Sequence, residues 1–220
     1  MIKAVIFDFD GLILDTETAW YDTYKQILKE THDYDLPLSE FVKGVGGGDD
    51  VLLEYIGKEV NGTFQPDVFQ EQVSVMHAER LKEAEAREGV EDYLKEAKEA
   101  GYQIAIASSS DHKWVTTHLT NLGLIDYFDH FATSDEVEHI KPAPDLFLKA
   151  IEKLGVKPEE AIVFEDSLNG LIAARKANIK TIIVPNPITE DLPFENHHLK
   201  ISSMKEMRLA EIVKSVDKAE

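Results

Sequence analysis

The stretch Lys3-Ala-Val-Ile-Phe-Asp8-Phe-Asp10-Gly-Leu-Ile-Leu-Asp15-Thr-Glu17 constrains what this chain can become more than any other. It starts as a nearly continuous apolar run, the pattern of a strand buried on both faces of a parallel sheet. It ends in carboxylates. Side chains two apart on a strand point the same way, so Asp8 and Asp10 should emerge together at its carboxyl end. Gly11 then lets the chain turn. Open α/β sheets bind ligands at that edge. Two acids leaving a core strand are costly unless a cation meets them. The pair reads either as a metal or phosphoryl-transfer site or as an acidic surface turn, and the rest of the chain has to decide.

From about Thr16 to Glu83 the period changes to that of helices. Trp20, Tyr24, Ile27 and Leu28 recur at spacings of three and four. Leu36-Pro37-Leu38-Ser39-Glu40 breaks the pattern and could cap a second helix. Gly44-Val-Gly46-Gly47-Gly48 is a turn, and Asp49-Asp50 opens another helical stretch that Asn61-Gly62 ends. Gln65-Pro66-Asp67 then begins a long helix carrying Phe69, Val73, Met76 and Leu81. No strand is legible here, so residues 16–83 read as an all-helical module inserted after the first strand. Residues 1–15 and 84–220 form the core. Beyond Val90, helices over Val90–Ala100, His112–Asn121, Pro144–Leu154, Gly170–Ala177 and Met204–Val216 alternate with strands. The strands are Gln103–Ala107, Phe128–Ala132, Ala161–Phe164 and Thr181–Val184. Short strand-helix repeats give an α/β fold with a doubly wound parallel sheet.

Three more polar groups follow the logic of the first strand. Ser108 follows Gln103–Ala107 and precedes a helix, where a hydroxyl and free N–H groups suit a phosphate, or an ordinary N-cap. Lys141 lies in Ile140-Lys-Pro142-Ala-Pro144, whose prolines stiffen the backbone around it. It can offer a point charge to a phosphoryl oxygen, or be a solvated surface Lys. Glu165-Asp166 follows Ala-Ile-Val-Phe and can complete a hard-cation site or cap a helix with Ser167. Each group alone is ambiguous. Together, an acid pair, a hydroxyl, a Lys and a second acid pair fit Mg²⁺, which takes few carboxylates plus water and phosphate oxygens.

Charge narrows the partners. With 42 acidic and 23 basic residues the formal charge is −19, a field that repels nucleic acid and anionic membranes. Any phosphate bound here needs local cations. The absence of cysteine excludes thiolate catalysis and Cys-zinc sites. No apolar run approaches a membrane span and the first residues lack the pattern of a signal peptide, so a soluble cytoplasmic protein is expected, with a monomer as the default.

At this point the chain resembles the haloacid dehalogenase superfamily of aspartyl-phosphate enzymes. The matching residues are Asp8-Phe-Asp10-Gly-x-x-x-Asp15-Thr16-Glu17, Ser108-Ser-Ser, Lys141-Pro-Ala-Pro-Asp145 and Phe164-Glu165-Asp166-Ser167-x-x-Gly170. The inserted helices resemble that superfamily's mobile cap, and the β-phosphoglucomutase-like phosphatases resemble the chain best. The resemblance implies that Asp8 is the nucleophile and Asp10 the general acid and then base. It implies Mg²⁺ held by Asp8, the Asp10 main-chain carbonyl and Asp166, with Glu165 helping directly or through water. It implies Ser108, Ser109 and Lys141 as phosphate-binding residues, and a small phosphorylated metabolite as substrate. Two features differ from mutase-type members. These carry a His in the first cap helix and an Arg in the cap loop, where this chain has Trp20 and the Gly44-to-Gly48 turn. Glu88 also stands where Pro is usual in that branch.

The expected activity is therefore Mg²⁺-dependent hydrolysis of a phosphate monoester. A sugar phosphomutase is the alternative, and a phospho-accepting signalling domain the more distant one. Trp20 is expected in the cap core, His77 and Arg80 on a solvated helix face, and His197-His198 in an exposed loop.

Overall fold

The computed structural model describes residues 1–60 and 64–217. Six parallel strands form one sheet in the order β3-β2-β1-β4-β5-β6. They are β1 Ala4–Phe7, β2 Gln103–Ala107, β3 His130–Ala132, β4 Ala161–Glu165, β5 Lys180–Ile183 and β6 Leu199–Lys200. The alternation within each strand explains the unbroken apolar runs. Val5, Phe7, Ile104, Ile106, Ile162 and Phe164 face one apolar layer. Ala4, Ile6, Ala105, Ala107, Ala161 and Val163 face the other. Both layers exclude water, so neither set can be polar.

Helices cover each side. The large side chains of the first layer meet α5 (Val90–Glu99), α6 (His112–Asn121) and α9 (Leu209–Asp217). The small alanines of the second meet α7 (Asp145–Leu154) and α8 (Leu168–Lys176). Phe7 and Phe164, paired in register, stack with ring centroids 5.2 Å apart.

The helical insertion comprises α1 Thr16–His32, α2 Leu38–Phe41, α3 Asp50–Glu59 and α4 Pro66–Arg80. It has its own core of Tyr24, Ile27, Leu28, Phe41, Leu52, Ile56, Phe69 and Val73. The chain enters and leaves it side by side. Leu14 and Ala86 form an antiparallel bridge, and Arg87 N donates to Ile13 O at 2.8 Å. The Arg87 guanidinium reaches the carbonyls of Gly11, Val184 and Pro185 at 2.6, 3.2 and 2.5 Å. No helix among the described residues is long and apolar enough to cross a membrane.

Several expectations need correcting. A sixth strand, β6, was not anticipated; at two residues it carries no apolar run to read. His198 precedes it in an exposed loop, as expected of His197-His198, and its Nδ1 accepts from Thr181 N at 3.1 Å, which ties that loop to the sheet edge. The last helix starts at Leu209, not Met204, because Ser202 and Glu206 bond locally and hold that segment in a turn. Pro37 occupies the N-cap of α2 without a side-chain hydrogen bond, so Leu36–Glu40 does not cap as expected. The break at Asn61-Gly62 lies outside the described residues. Lys141 does not follow a strand: β3 ends at Ala132, and Lys141 projects from the loop before α7.

Candidate active site

The carboxyl edge of the sheet gathers the polar residues. Asp8 follows β1, Ser108 follows β2, Glu165 ends β4 and Asp166 follows it. Lys141 is 2% exposed and lies among them. Its Nζ donates to Asp8 Oδ1 at 2.5 Å, Glu165 Oε1 at 2.6 Å and Ala107 O at 2.8 Å. Burial works against the ammonium, but the two carboxylates outweigh it and hold its pKa above the ordinary lysine value. The surface-lysine alternative is therefore excluded.

Asp8, Glu165 and Asp166 are all buried, with one ligand oxygen each within 4.8 Å of the others. One ammonium does not balance three carboxylates. Burial pushes Asp8 up to about 8 despite the pull of Lys141, and burial with the neighbouring charges of Asp8 and Glu165 pushes Asp166 well above the carboxylate range. The cluster is short of positive charge, as a cation site should be.

The oxygens differ in how they are engaged. Glu165 Oε2 accepts from Asp166 N, Ser167 N and Ser167 Oγ at 3.1, 3.2 and 3.1 Å. Asp166 Oδ2 accepts from Asn186 Nδ2 at 2.7 Å, whereas Asp166 Oδ1 is buried with no partner among the described residues. A buried carboxylate oxygen left free beside two other acids suits a cation ligand. Ser167 caps α8 by accepting from Gly170 N at 3.0 Å, so the cap and the acid pair coexist.

Gly170 is required by the same carboxylate. A Cβ there would lie 1.9 Å from the Glu165 carboxyl carbon. Gly170→Ala should destabilise the fold by about 1–3 kcal/mol despite its better helix propensity, because the side chain beneath must move. Thermal melts of variant and parent check this; an unchanged midpoint would contradict it.

Asp10 sits past the strand, in a turn closed by Gly11 N donating to Leu14 O at 2.8 Å. Its carboxylate stands apart from the Asp8 cluster. Oδ2 accepts from Ser110 Oγ at 2.7 Å and Ser108 Oγ at 3.3 Å, and Oδ1 accepts from Trp114 Nε1 at 3.0 Å. Ser108 does not cap α6; Asp111 does, accepting from Trp114 N at 2.8 Å. Ser109 Oγ donates to Gly46 O at 3.0 Å, linking the core to the insertion.

A cavity of about 260 Å³ opens over Asp8 and Asp10. The insertion closes its far side with Trp20, Tyr24, Phe41, Leu52 and the Gly44-to-Gly48 turn. That turn rests on the core: Asn169 Nδ2 donates to Val45 O at 2.9 Å, and a Cβ on Gly46 would strike Ser167 Oγ at 2.2 Å. Glu17 and Asp49 also line the cavity, and no Lys, Arg or His does among the described residues. Glu17 is 8% exposed, and burial with the nearby Asp10 and Asp49 charges lifts its carboxyl well above the ordinary range. It places a carboxyl group at the cavity wall on the insertion's side.

His77 is not on a solvated face. It is 1% exposed and stacks on Trp20 with centroids 3.6 Å apart, while its Nε2 donates to Thr16 O at 3.3 Å. Burial lowers its pKa to about 4, so the ring is neutral near pH 7. Arg80 is exposed as expected, bonded to Gln26. Trp20 packs against the insertion's core and also lines the cavity. Sequence reasoning missed Asn186, Arg87 and Trp114. Asn186 lies shortly past β5, as Asp8 and Asp166 lie past their strands, but an amide there carries no charge signal of its own.

This geometry has counterparts among known proteins. YhcW of Bacillus subtilis, which carries the name of a phosphatase, is 47% identical over 215 residues, 96% of each chain. The phosphorylated carbohydrates phosphatase of Thermotoga maritima is 34% identical over 185 residues, 82% of this chain and 84% of that one. The crystal structure of CbbY from Rhodobacter sphaeroides in complex with phosphate matches with a TM-score of 0.80 at 26% identity, over 99% of this chain and 100% of that one. The family model of haloacid dehalogenase-like hydrolases matches residues 5–184, a span that begins in β1 and takes in Asp8, Ser108, Lys141 and the Glu165-Asp166 pair. The chain belongs to that family.

Proposed function

We propose that this protein is a Mg²⁺-dependent phosphatase for a small phosphorylated metabolite, a sugar phosphate or similar, working through an aspartyl phosphate on Asp8. The observation that carries the reading is the buried Asp8-Glu165-Asp166 cluster, in which, among the described residues, Lys141 is the one bonded cation and Asp166 Oδ1 is unpartnered. The names of the Thermotoga and Bacillus relatives support the substrate class. We take residues 1–15 and 84–220 as the catalytic core and 16–83 as the cap.

Bound Mg²⁺ would neutralise the transferring phosphoryl group and lower the repulsion between it and Asp8. Asp8 and Asp166 would hold it with free oxygens and Asp10 with its main-chain carbonyl. Glu165, already saturated by Lys141 and three donors, would act from the outer shell. Lys141 fixes Asp8 for attack and offers its charge to a phosphoryl oxygen. Ser108 and Ser109, just past β2, would offer donors to the other oxygens. Asp8 attacks phosphorus as Asp10 protonates the departing alcohol oxygen; Asp10 then takes a proton from the water that cleaves the phosphorus–Asp8 bond.

The cavity lining supports hydrolysis over intramolecular transfer. A mutase must grip a second phosphate, and the groups facing it here are Glu17 and Asp49 rather than cations. The test is a panel of phosphorylated metabolites assayed for released phosphate, with Mg²⁺ and with excess EDTA. Phosphate release that requires Mg²⁺ is expected. Full activity in EDTA, or rapid conversion of β-glucose 1-phosphate to glucose 6-phosphate with little phosphate released, would overturn the reading.

A further inference from the structure

Three aromatic rings cross the boundary between insertion and core. Trp20 comes from α1, His77 from α4 and Trp114 from α6. Trp20 and His77 stack at 3.6 Å and 13°, and His77 and Trp114 at 5.6 Å and 18°. His118, one turn along α6, packs edge-on against the indole at 4.2 Å. The Trp114 ring is thus held by groups on both sides of the boundary. Its Nε1 ends 3.0 Å from Asp10 Oδ1.

We infer that Trp114 is a positioning residue for Asp10, fixing the carboxylate that protonates the leaving group and tying its orientation to the seating of the insertion. The inference rests on the phosphatase reading and assigns a residue that reading does not need. Its physical basis is simple. Asp10 has two carboxylate oxygens, and a carboxylate plane is set once both are held. Ser108 and Ser110 hold Oδ2. Among the described residues, Oδ1 has Trp114 Nε1 as its one hydrogen-bond partner. An indole N–H only donates, so it holds the oxygen without competing for the proton that Asp10 must pass on. A ring already locked by stacking loses little freedom in making that bond. A side chain with free rotors could satisfy Oδ1 equally well but would not carry the position of the insertion to it.

The test separates this role from a merely structural one. Two changes are made: Trp114→Phe, and benzothienylalanine in place of Trp114, which keeps the ring shape and removes only the N–H. Second-order turnover (kcat/KM) is measured with Mg²⁺ on the sugar phosphate that the parent protein hydrolyses best, and on p-nitrophenyl phosphate. The nitrophenolate leaves without protonation, whereas the sugar alkoxide needs the Asp10 proton. Both variants should lose roughly ten- to a hundredfold on the sugar phosphate, the scale of a misplaced general acid. On p-nitrophenyl phosphate they should stay within about twofold of the parent. Equal losses on both esters would make Trp114 structural and overturn the inference, as would no loss on either. The benzothienyl variant keeps the outcome decisive if Trp114→Phe folds poorly. A parent protein that hydrolyses neither ester with Mg²⁺ sinks the phosphatase reading first, and this one with it.

Discussion

Asp8→Asn should yield a folded protein whose turnover is lower by about 10⁴-fold or more, the scale on which removing a nucleophile acts. The amide has the same shape, accepts from Lys141 through its oxygen, and cannot form the aspartyl phosphate. Steady-state hydrolysis with Mg²⁺ measures it, and a variant keeping even a tenth of parental turnover would refute the nucleophile assignment. The same variant carries a pH signature. Asp8 titrates at about 8 in the folded, metal-free protein against 3.8 when exposed. A carboxyl raised in this way binds its proton more readily folded than unfolded. Its contribution to stability is therefore present below pH 3.8 and is lost as pH climbs through about 8. Asn carries no such proton, so in EDTA the variant's melting temperature should fall less than the parent's between those limits. Parallel profiles would contradict this.

Lys141→Met should have the largest effect on stability. The side chain is nearly the right volume, but the change leaves Asp8 and Glu165 buried without the ammonium that both contact. Breaking a buried pair by removing one partner costs about 3–5 kcal/mol, because the remaining charge is uncompensated. Here two buried acids lose their shared partner at once. The double variant Lys141→Met with Glu165→Gln removes one of them and should recover part of the loss. Urea unfolding of parent, single and double variants in EDTA provides the comparison. A single variant as stable as the parent, or a double variant no better than the single, would show that the ammonium does not hold these acids in the fold.

The sheet and its acids were legible because their causes are local. Val5 and Phe7 face one apolar layer while Ala4 and Ile6 face the other, so β1 had to read as an unbroken apolar run. Asp8, Ser108 and Glu165 follow such runs or end them, and chain direction then places them on one edge. Lys141 was legible through its prolines, though it arrives from a loop. The aromatic stack was not legible. Trp20 and His77 sit at ordinary helix spacing, and what distinguishes them is Trp114, a partner on α6 in the core. Asn186 and Arg87 work through backbone and side-chain partners far along the chain, as in Asn186 with Asp166 and Arg87 with Gly11. β6 is too short for any periodicity to show.

The bridge between Leu14 and Ala86, fastened by Arg87, has a consequence for how proteins built this way can diverge. To the sheet, everything from α1 to α4 is a single excursion that begins and ends at one doorway. The closure cost of such an excursion grows only slowly with its length. Helices can be added, lost or exchanged beyond the doorway while Asp8, Lys141, Glu165 and Asp166 keep their places. The roof of the cavity, with Trp20, Tyr24, Phe41 and Asp49, belongs to the excursion. The floor belongs to the sheet. Roof and floor can thus vary through separate stretches of the chain, except where the Trp20-His77-Trp114 stack and the Ser109 and Asn169 contacts couple the one to the other.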